Sequence, residues 1–243
     1  MRVQLFATCL IDSLFPAVGE SVVAVLRACG VQVAFPEAQT CCGQPAFNAG
    51  EWDSARRMAR HTLEVLEAAP GPVVIPSGSC AHMVCHGYLQ LFADDPEWRT
   101  RADRLARRTY EFSQFLVDVL GVRAWGGVPG GSLAYHPSCH LLRGLGVDSQ
   151  PMQLLASIPG MQVTALEPEC CGFGGVFSVD QPELSSEMLA RKLVAIEASH
   201  AKRVVGCDVS CLMHIEGGLR KHGSATRCAH LAQIMAGDPG GLR

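Results

Sequence analysis

The chain has 243 residues, which is enough for one large domain or two small ones. With 48% hydrophobic and 18% charged residues it can bury a sizeable core, so wholesale disorder is excluded. A net charge of −3 argues against a dedicated nucleic-acid binder, because neutralising phosphates requires a basic surplus. The best candidate for a membrane span, residues 18–35, is interrupted by Glu20, Arg27 and Gln32, so we expect no transmembrane segment. The first residues lack the pattern of a secretory signal, and we therefore expect a cytoplasmic protein.

Short apolar runs alternate with helical patterns along the whole chain. The sequence predicts strands at Val3–Ala7, Gly30–Ala34, Pro72–Ile75, Leu133–Tyr135, Met161–Ala165 and Arg203–Val205. It predicts helices at Glu20–Ala28, Asp53–Ala68, Leu105–Leu120, Pro182–Ala198 and His230–Ala236. This alternation is typical of α/β folds with mainly parallel sheets. The glycine-rich stretch Gly121–Gly131 then separates a first lobe, residues 1–125, from a second lobe, residues 126–243.

The cysteines show that the two lobes are copies of one unit. Thr40-Cys41-Cys42-Gly43 recurs 129 positions later as Glu169-Cys170-Cys171-Gly172. A single cysteine before each pair and another after it recur at offsets of 130 and 131, as Cys9 with Cys139 and Cys80 with Cys211. Three landmarks that keep their order with single-residue drift indicate an internal duplication. We therefore predict two pseudo-equivalent α/β lobes.

The repeated cysteines are the strongest functional signal in the chain. Each follows a predicted strand, and the carboxyl ends of parallel strands meet at one edge of a sheet, so the thiols of a lobe can converge. Thiolate sulfur selects iron–sulfur clusters, zinc or Cu(I). Two adjacent cysteines fit one tetrahedral zinc poorly, whereas an extended cluster can accept both. The predicted cluster-binding and metal-binding residues are Cys9, Cys41, Cys42 and Cys80 in the first lobe and Cys139, Cys170, Cys171 and Cys211 in the second.

The other cysteines and the histidines carry weaker signals. Cys29, Cys85, Cys207 and Cys228 have no matched position in the other lobe, which favours their interpretation as buried apolar residues. Four histidines lie close to repeated cysteines, namely His82, His136, His140 and His214. We interpret these histidines as hydrogen-bonded polar neighbours, with ligation as the alternative.

Two further segments have an ordinary structural interpretation. Gly172-Phe173-Gly174-Gly175 fits no complete nucleotide-binding fingerprint, and we expect a tight turn that presents backbone N–H groups to a cluster. The arginine-rich segment Arg99–Arg108 is typical of a solvated helix face, with a docking patch for an acidic partner as the alternative.

The cysteine pattern resembles a known family. Cys-x(31)-Cys-Cys-Gly and Cys-x(30)-Cys-Cys-Gly, each with a later cysteine, are similar to the duplicated cysteine-rich CCG domain. That domain occurs in heterodisulfide reductase and in the iron–sulfur subunits of glycolate oxidase and anaerobic glycerol-3-phosphate dehydrogenase. The chain most resembles the lactate-utilisation protein A family. The stretches that carry this resemblance are Gln39–Ala46, Pro76–Cys80, Tyr135–Cys139, Cys170–Gly175 and Asp208–Met213.

The resemblance implies an iron–sulfur subunit of a multi-subunit complex that oxidises L-lactate to pyruvate. It implies 4Fe-4S clusters, a ferredoxin-type iron–sulfur partner and a third small subunit. The chain would be an oxidoreductase subunit that transfers electrons, not a self-sufficient enzyme. Two alternatives stay open, namely a thiol–disulfide reductase subunit of the heterodisulfide type and a non-catalytic zinc or thiol assembly module.

One departure from the family pattern affects the ligand set. The fuller pattern ends in Cys-x-x-Cys, but its first position holds Ser77 in one lobe and Asp208 in the other. Four thiolates per lobe remain, and Ser77, Asp208 or water are the alternatives for the remaining iron.

Overall fold

A computed structural model describes residues 1–238 and 241–242. The first lobe contains a parallel sheet of β1 (Arg2–Leu5), β2 (Gln32–Ala34), β3 (Val73–Ile75) and β4 (Thr109–Glu111), in the order β2-β1-β3-β4. The second lobe contains β5 (Gly131–Tyr135), β6 (Met161–Ala165), β7 (Arg203–Gly206) and β8 (Arg227–His230), in the order β6-β5-β7-β8, also all parallel. The matching order confirms the predicted α/β fold with two pseudo-equivalent lobes.

Helices connect these strands in both lobes. The first lobe has α1 (Cys9–Leu14), α2 (Pro16–Ala28), α3 (Gln44–Asn48), α4 (Trp52–Glu67), α5 (Gly78–His82), α6 (Tyr88–Leu91), α7 (Pro96–Ala106) and α8 (Phe112–Gln114). The second has α9 (Ser149–Ala156), α10 (Phe177–Asp180), α11 (Pro182–Ala198), α12 (Val209–Lys221) and α13 (Leu231–Met235). Three π-helical turns cover Met83–Gly87, Phe115–Val119 and His140–Gly144. In the part of the chain that the structure describes, no helix has both the length and the apolar character needed to cross a bilayer.

Local sequence explains most of these boundaries. Pro16 and Pro182 begin α2 and α11, where their missing N–H groups cost nothing and their fixed φ suits a helix. In α4, Ala55, Ala59 and Leu63 recur every four residues and are fully buried. This spacing places all three on the one helix face that packs on the sheet.

The predicted helix over Leu105–Leu120 is wrong, because β4 lies in the middle of that segment. Thr109 and Glu111 pair with Val73 and Ile75 of β3, so an edge position in the parallel sheet overrides the helical pattern. The strand is followed by a capping box at the start of α8. The Glu111 side chain accepts from backbone N–H groups of α8, and the Gln114 side chain accepts from the backbone N–H of Glu111. The second lobe repeats this arrangement after β8, with His230 and Gln233.

The two lobes share one hydrophobic core. A single buried cluster includes Leu5 and Phe115 from the first lobe and Tyr135 and Leu231 from the second. The sheets take their strands from residues 2–111 and 131–230, and the predicted boundary at 125/126 falls between them. That boundary stays a prediction.

Candidate metal centre

All eight repeated cysteines line one cavity of about 360 Å³ between the lobes. Within each lobe they come from three places that follow parallel strands: the segment after the first strand, the Cys-Cys loop, and the helix after the third strand. Cys9 begins α1, Cys80 lies in α5 and Cys211 lies in α12. The strand ends therefore bring together thiols that are far apart in sequence.

In the first lobe, the four sulfur atoms form a chain of contacts. The Sγ atoms of Cys42 and Cys80 are 3.3 Å apart. The thiol of Cys41 is hydrogen-bonded to those of Cys42 and Cys9. The backbone N–H of Gly43 also donates to Cys41 Sγ over 3.5 Å. These contacts place the four donors together on one side of the cavity.

The second lobe repeats the chain of contacts in the same order. Cys170 is hydrogen-bonded to Cys139 and Cys171, and Cys171 is hydrogen-bonded to Cys211. The backbone N–H of Gly172 donates to Cys170 Sγ over 3.4 Å. The structure thus brings each predicted set of four cysteines together.

In each lobe the first cysteine of the adjacent pair is the stabilised thiolate. Hydrogen bonds from Cys42 and Cys9 lower the pKa of Cys41 to about 3, and bonds from Cys139 and Cys171 likewise lower the pKa of Cys170. The pKa of Cys9 is raised, because its thiol donates to Cys41 and because it is partly buried. Since thiolate is the metal-binding form of cysteine, each lobe offers one ready ligand, and the donating thiols release protons when metal binds.

The glycine after each cysteine pair is required by the packing of the turn. Gly43 and Gly172 have φ of +86° and +93°, in the left-handed region that favours glycine. A Cβ on Gly172 would lie 2.5 Å from the carbonyl oxygen of Ser185 in α11, and one on Gly43 would lie 3.3 Å from Met58 Cβ in α4. The Cys-Cys turns can therefore pack closely on α4 and α11 only with glycine at this position.

Comparison with known proteins identifies the family. The family model for the CCG cysteine-rich domain matches residues 3–85 and 133–216, which include all eight repeated cysteines. "Lactate utilization protein A" of Shouchella clausii (strain KSM-K16) is 46% identical over 237 residues, covering 97% of this chain and 98% of that protein. "Lactate utilization protein A 2" of Bacillus cereus (strain AH820) is 42% identical over 238 residues, with the same coverage. The chain belongs to the lactate utilization protein A family, with two CCG domains.

A solved structure supports the fold of this family member independently of sequence. A crystal structure of a hypothetical protein from Helicobacter pylori superposes with a TM-score of 0.63 at 10% identity. The match covers 100% of this chain and 49% of that one, so the chain spans about half the length of the Helicobacter protein. At this identity the likeness concerns the fold alone.

Ser77 and Asp208, which replace the fifth cysteines of the CCG pattern, are engaged in hydrogen bonds between the lobes. Asp208 Oδ2 accepts from the Ser79 backbone N–H over 2.8 Å and from the Ser77 hydroxyl over 3.3 Å. Its Oδ1 accepts from the Ser210 N–H and hydroxyl, which caps α12. Both side chains border the cavity, but these bonds use the oxygens that would otherwise bind metal.

The four unmatched cysteines lie away from the cavity. Among the described residues that line it, Cys29, Cys85, Cys207 and Cys228 do not appear. Cys207 is fully buried beside Tyr135 and Glu111, and Cys228 is fully buried in β8. The positions of Cys207 and Cys228 agree with the sequence interpretation of these residues as buried, whereas Cys29 and Cys85 are only partly buried.

Three of the four histidines have ordinary polar or aromatic neighbours. His140 lies with Nδ1 3.7 Å from Cys139 Sγ and Nε2 3.4 Å from Gln44. His82 packs against the ring of His140, and His214 lies 3.4 Å from the Ser185 hydroxyl. Hydrogen bonding and ring packing therefore account for these side chains.

His136 contradicts the sequence interpretation. It is 1% exposed, and neither ring nitrogen has a hydrogen-bond partner among the described residues. One ring nitrogen, Cys171 Sγ and Cys211 Sγ all lie within 4.8 Å of one another. Burial, with a smaller effect of the Lys192 charge, lowers the pKa of His136 to about 4, so the ring is the neutral, metal-binding form. The donor set of thiolates and an unpartnered imidazole fits a bound metal or iron–sulfur group.

Proposed function

We propose that this chain is the iron–sulfur subunit of a multi-subunit complex that oxidises L-lactate to pyruvate. The names of its relatives support the lactate-utilisation role. The observation that carries the proposal is the convergence of two equivalent sets of four thiols on one cavity. From the family resemblance we expect 4Fe-4S clusters, a ferredoxin-type iron–sulfur partner and a third small subunit. All twelve cysteines are free of disulfides in the described chain, which is in keeping with a reducing compartment such as the cytoplasm.

The residues around the cavity are suited to holding a redox group. Lactate oxidation releases two electrons, and an iron–sulfur cluster, when bound, takes up and releases electrons singly. Cys41 and Cys170 each receive a backbone N–H bond from the following glycine. Hydrogen bonds to ligating sulfur stabilise negative charge and thereby raise the reduction potential. The cavity walls are mainly apolar, with Leu10, Phe173 and Val176 among them, and such walls limit access of water to the sulfur atoms.

The first test is the metal content of protein purified without oxygen. We expect iron and acid-labile sulfide in the chain, with a paramagnetic resonance signal on reduction. Cys41→Ser and Cys170→Ser should each remove the iron of one lobe and leave that of the other. Cys29→Ser, outside the cavity, is the matched control and should keep the full content. Stoichiometric zinc without sulfide would overturn the proposal and favour the assembly module.

The second test concerns the reaction. The chain assembled with its two partners should reduce an artificial electron acceptor when L-lactate is supplied, and Cys41→Ser should abolish this activity. Turnover of a disulfide without any response to lactate would instead identify a thiol–disulfide reductase subunit. Ser77 and Asp208 speak against that alternative, because they stand where the fuller pattern has its fifth cysteine and are engaged in hydrogen bonds between the lobes.

A further inference from the structure

At one of the positions where the two thiol sites differ, only the second lobe has a side chain that can bind metal. Phe6 follows β1 and His136 follows β5, and each lies three residues before the first cysteine of its lobe. Both side chains are buried, at 0% and 1% exposure. The same place beside the cavity thus holds an apolar ring in the first lobe and an imidazole in the second.

Burial of His136 without a partner requires an explanation. Buried polar atoms in native proteins nearly always have a hydrogen-bond partner, and leaving one unpaired costs about 1–3 kcal/mol. Both ring nitrogens of His136 lack such a partner among the described residues, and the neighbouring sulfur atoms supply none. A metal ion bound to a ring nitrogen would supply the missing partner.

The side chains around the ring indicate that the missing partner is a metal ion. A ring nitrogen of His136 and the sulfur atoms of Cys171 and Cys211 form a buried triangle with sides within 4.8 Å. Metal–sulfur and metal–nitrogen bonds are about 2.3 and 2.0–2.1 Å long, so the ligand atoms of one tetrahedral metal lie about 3.6–3.8 Å apart. Small rotations of these three side chains bring them onto a single metal ion.

We propose that His136 is a metal ligand of the second lobe only. The second-lobe site then consists of four thiolates and one imidazole, whereas the first-lobe site, with Phe6 at the equivalent position, has thiolates alone. The inference rests on the proposed function only in requiring that metal occupies the thiol cavity. It makes the two sites chemically different despite their duplicated frame.

A difference in redox behaviour follows from the difference in ligands. The imidazole adds a neutral ligand to the four thiolates of the second lobe, and the ligands and charges around an iron–sulfur centre set its reduction potential. The buried side chain of Lys192 also brings a positive charge near this site, where it interacts with the carboxylate of Glu169 and with Cys171, Cys170 and Cys211. The two sites should therefore differ in reduction potential.

The test uses the full chain, with Cys41→Ser and Cys42→Ser introduced so that only the second-lobe site loads. Iron and sulfide are reconstituted without oxygen, histidine is labelled with ¹⁵N, and nitrogen couplings to the reduced centre are measured by pulsed paramagnetic resonance. We expect the coupling of a directly bound imidazole nitrogen, and its loss in His136→Phe, which copies the first lobe. His140→Gln is the matched control, since His140 lies beside Cys139 but should leave the coupling unchanged.

Each other outcome overturns a specific statement. A loaded centre with no coupling from a bound nitrogen, or a coupling that persists in His136→Phe, overturns the role of His136 and leaves the proposed function intact. Failure to bind iron and sulfide overturns the proposed function. The role of His136 as a metal ligand is then tested with Co²⁺ bound in place of iron. X-ray absorption at cobalt should show one imidazole nitrogen that is lost in His136→Phe, and a sulfur-only shell would refute the inference. Circular dichroism verifies the folding of each variant. If the phenylalanine ring prevents folding, His136→Gln takes the place of His136→Phe, because glutamine is smaller than phenylalanine and has no imidazole.

Discussion

The carboxylate of Asp208 should contribute more to stability than an ordinary helix cap, because it also joins the lobes. It is 2% exposed and accepts from Ser79 of the first lobe while capping α12 of the second. The matched comparison is Asp95, which caps α7 through the Trp98 N–H but is half-exposed and has no partner across the lobes among the described contacts. We expect Asp208→Ala to cost substantially more than Asp95→Ala.

The magnitudes follow from what each substitution leaves unpaired. Removing either cap costs about 1 kcal/mol. The Arg60–Asp95 ion pair adds little to that cost, because both of its partners are half-exposed. Asp208→Ala also leaves the buried N–H of Ser79 without its acceptor, at a further cost of about 1–3 kcal/mol. The free energy of unfolding should therefore fall by about 2–4 kcal/mol in Asp208→Ala and by about 1 kcal/mol in Asp95→Ala.

Thermal unfolding of the metal-loaded chain without oxygen measures this difference. For a protein of this size about 2–4 °C of midpoint corresponds to 1 kcal/mol, so a 2 kcal/mol difference separates the two variants by about 4–8 °C. Asp208→Asn keeps one acceptor oxygen and should fall between Asp208→Ala and the unchanged chain. Equal midpoints for Asp208→Ala and Asp95→Ala would refute the idea that this carboxylate holds the lobes together.

Three further predictions concern other parts of the structure. Burial raises the pKa of Glu111 to about 7 from its ordinary 4.5, so the folded chain binds this proton more tightly than the unfolded chain does. The free energy of unfolding should therefore fall by about 3 kcal/mol as the pH rises from about 4.5 to 7. Urea unfolding should show this fall in the unchanged chain and not in Glu111→Gln. Gly78→Ala places a Cβ 2.7 Å from Leu141 Cβ and should lower the free energy of unfolding by about 1–3 kcal/mol. The control is Gly217→Ala, at an exposed position of α12 with no described neighbour within 4 Å, which should leave that free energy unchanged or raise it in the same assay. Lys192→Met should lower the potential of the second-lobe site in a redox titration, and an unchanged potential would contradict the electrostatic role given to its ammonium.

The fold was predictable where local pattern and tertiary environment agree. Pro182 begins α11 and the predicted bounds of that helix match the observed ones, because its pattern is long and its start is marked. The edge strands β4 and β8 were missed. Each is short and polar in part, and its conformation depends on pairing with β3 or β7, which are distant in sequence. Pairing of that kind leaves little trace in a single sequence.

The convergence of the eight repeated cysteines on one cavity was predictable from spacing, because the duplication marks each position twice. Cysteines that recur at matched offsets could be separated from Cys207 or Cys228, which only pack. The role that we propose for His136 could not be recognised in that way, since the copies differ at this position. A comparison of the residues preceding Cys9 and Cys139 would have revealed a histidine opposite a phenylalanine, but only the structure shows that its nitrogens have no partner.

The contact between the lobes explains why both thiol sets face one cavity. Helix α5, which carries Cys80, packs against the π-helical turn that follows Cys139, and Gly78 of α5 donates its backbone N–H to the Cys207 carbonyl. In the reverse direction α12, which carries Cys211, packs against α1, which begins at Cys9. Each lobe therefore supports a cysteine-bearing segment of the other, so neither site should keep its geometry in an isolated half. Duplication within one chain provides this mutual support, and it also lets positions such as Phe6 and His136 differ, which is the difference on which our proposal for the second-lobe site rests.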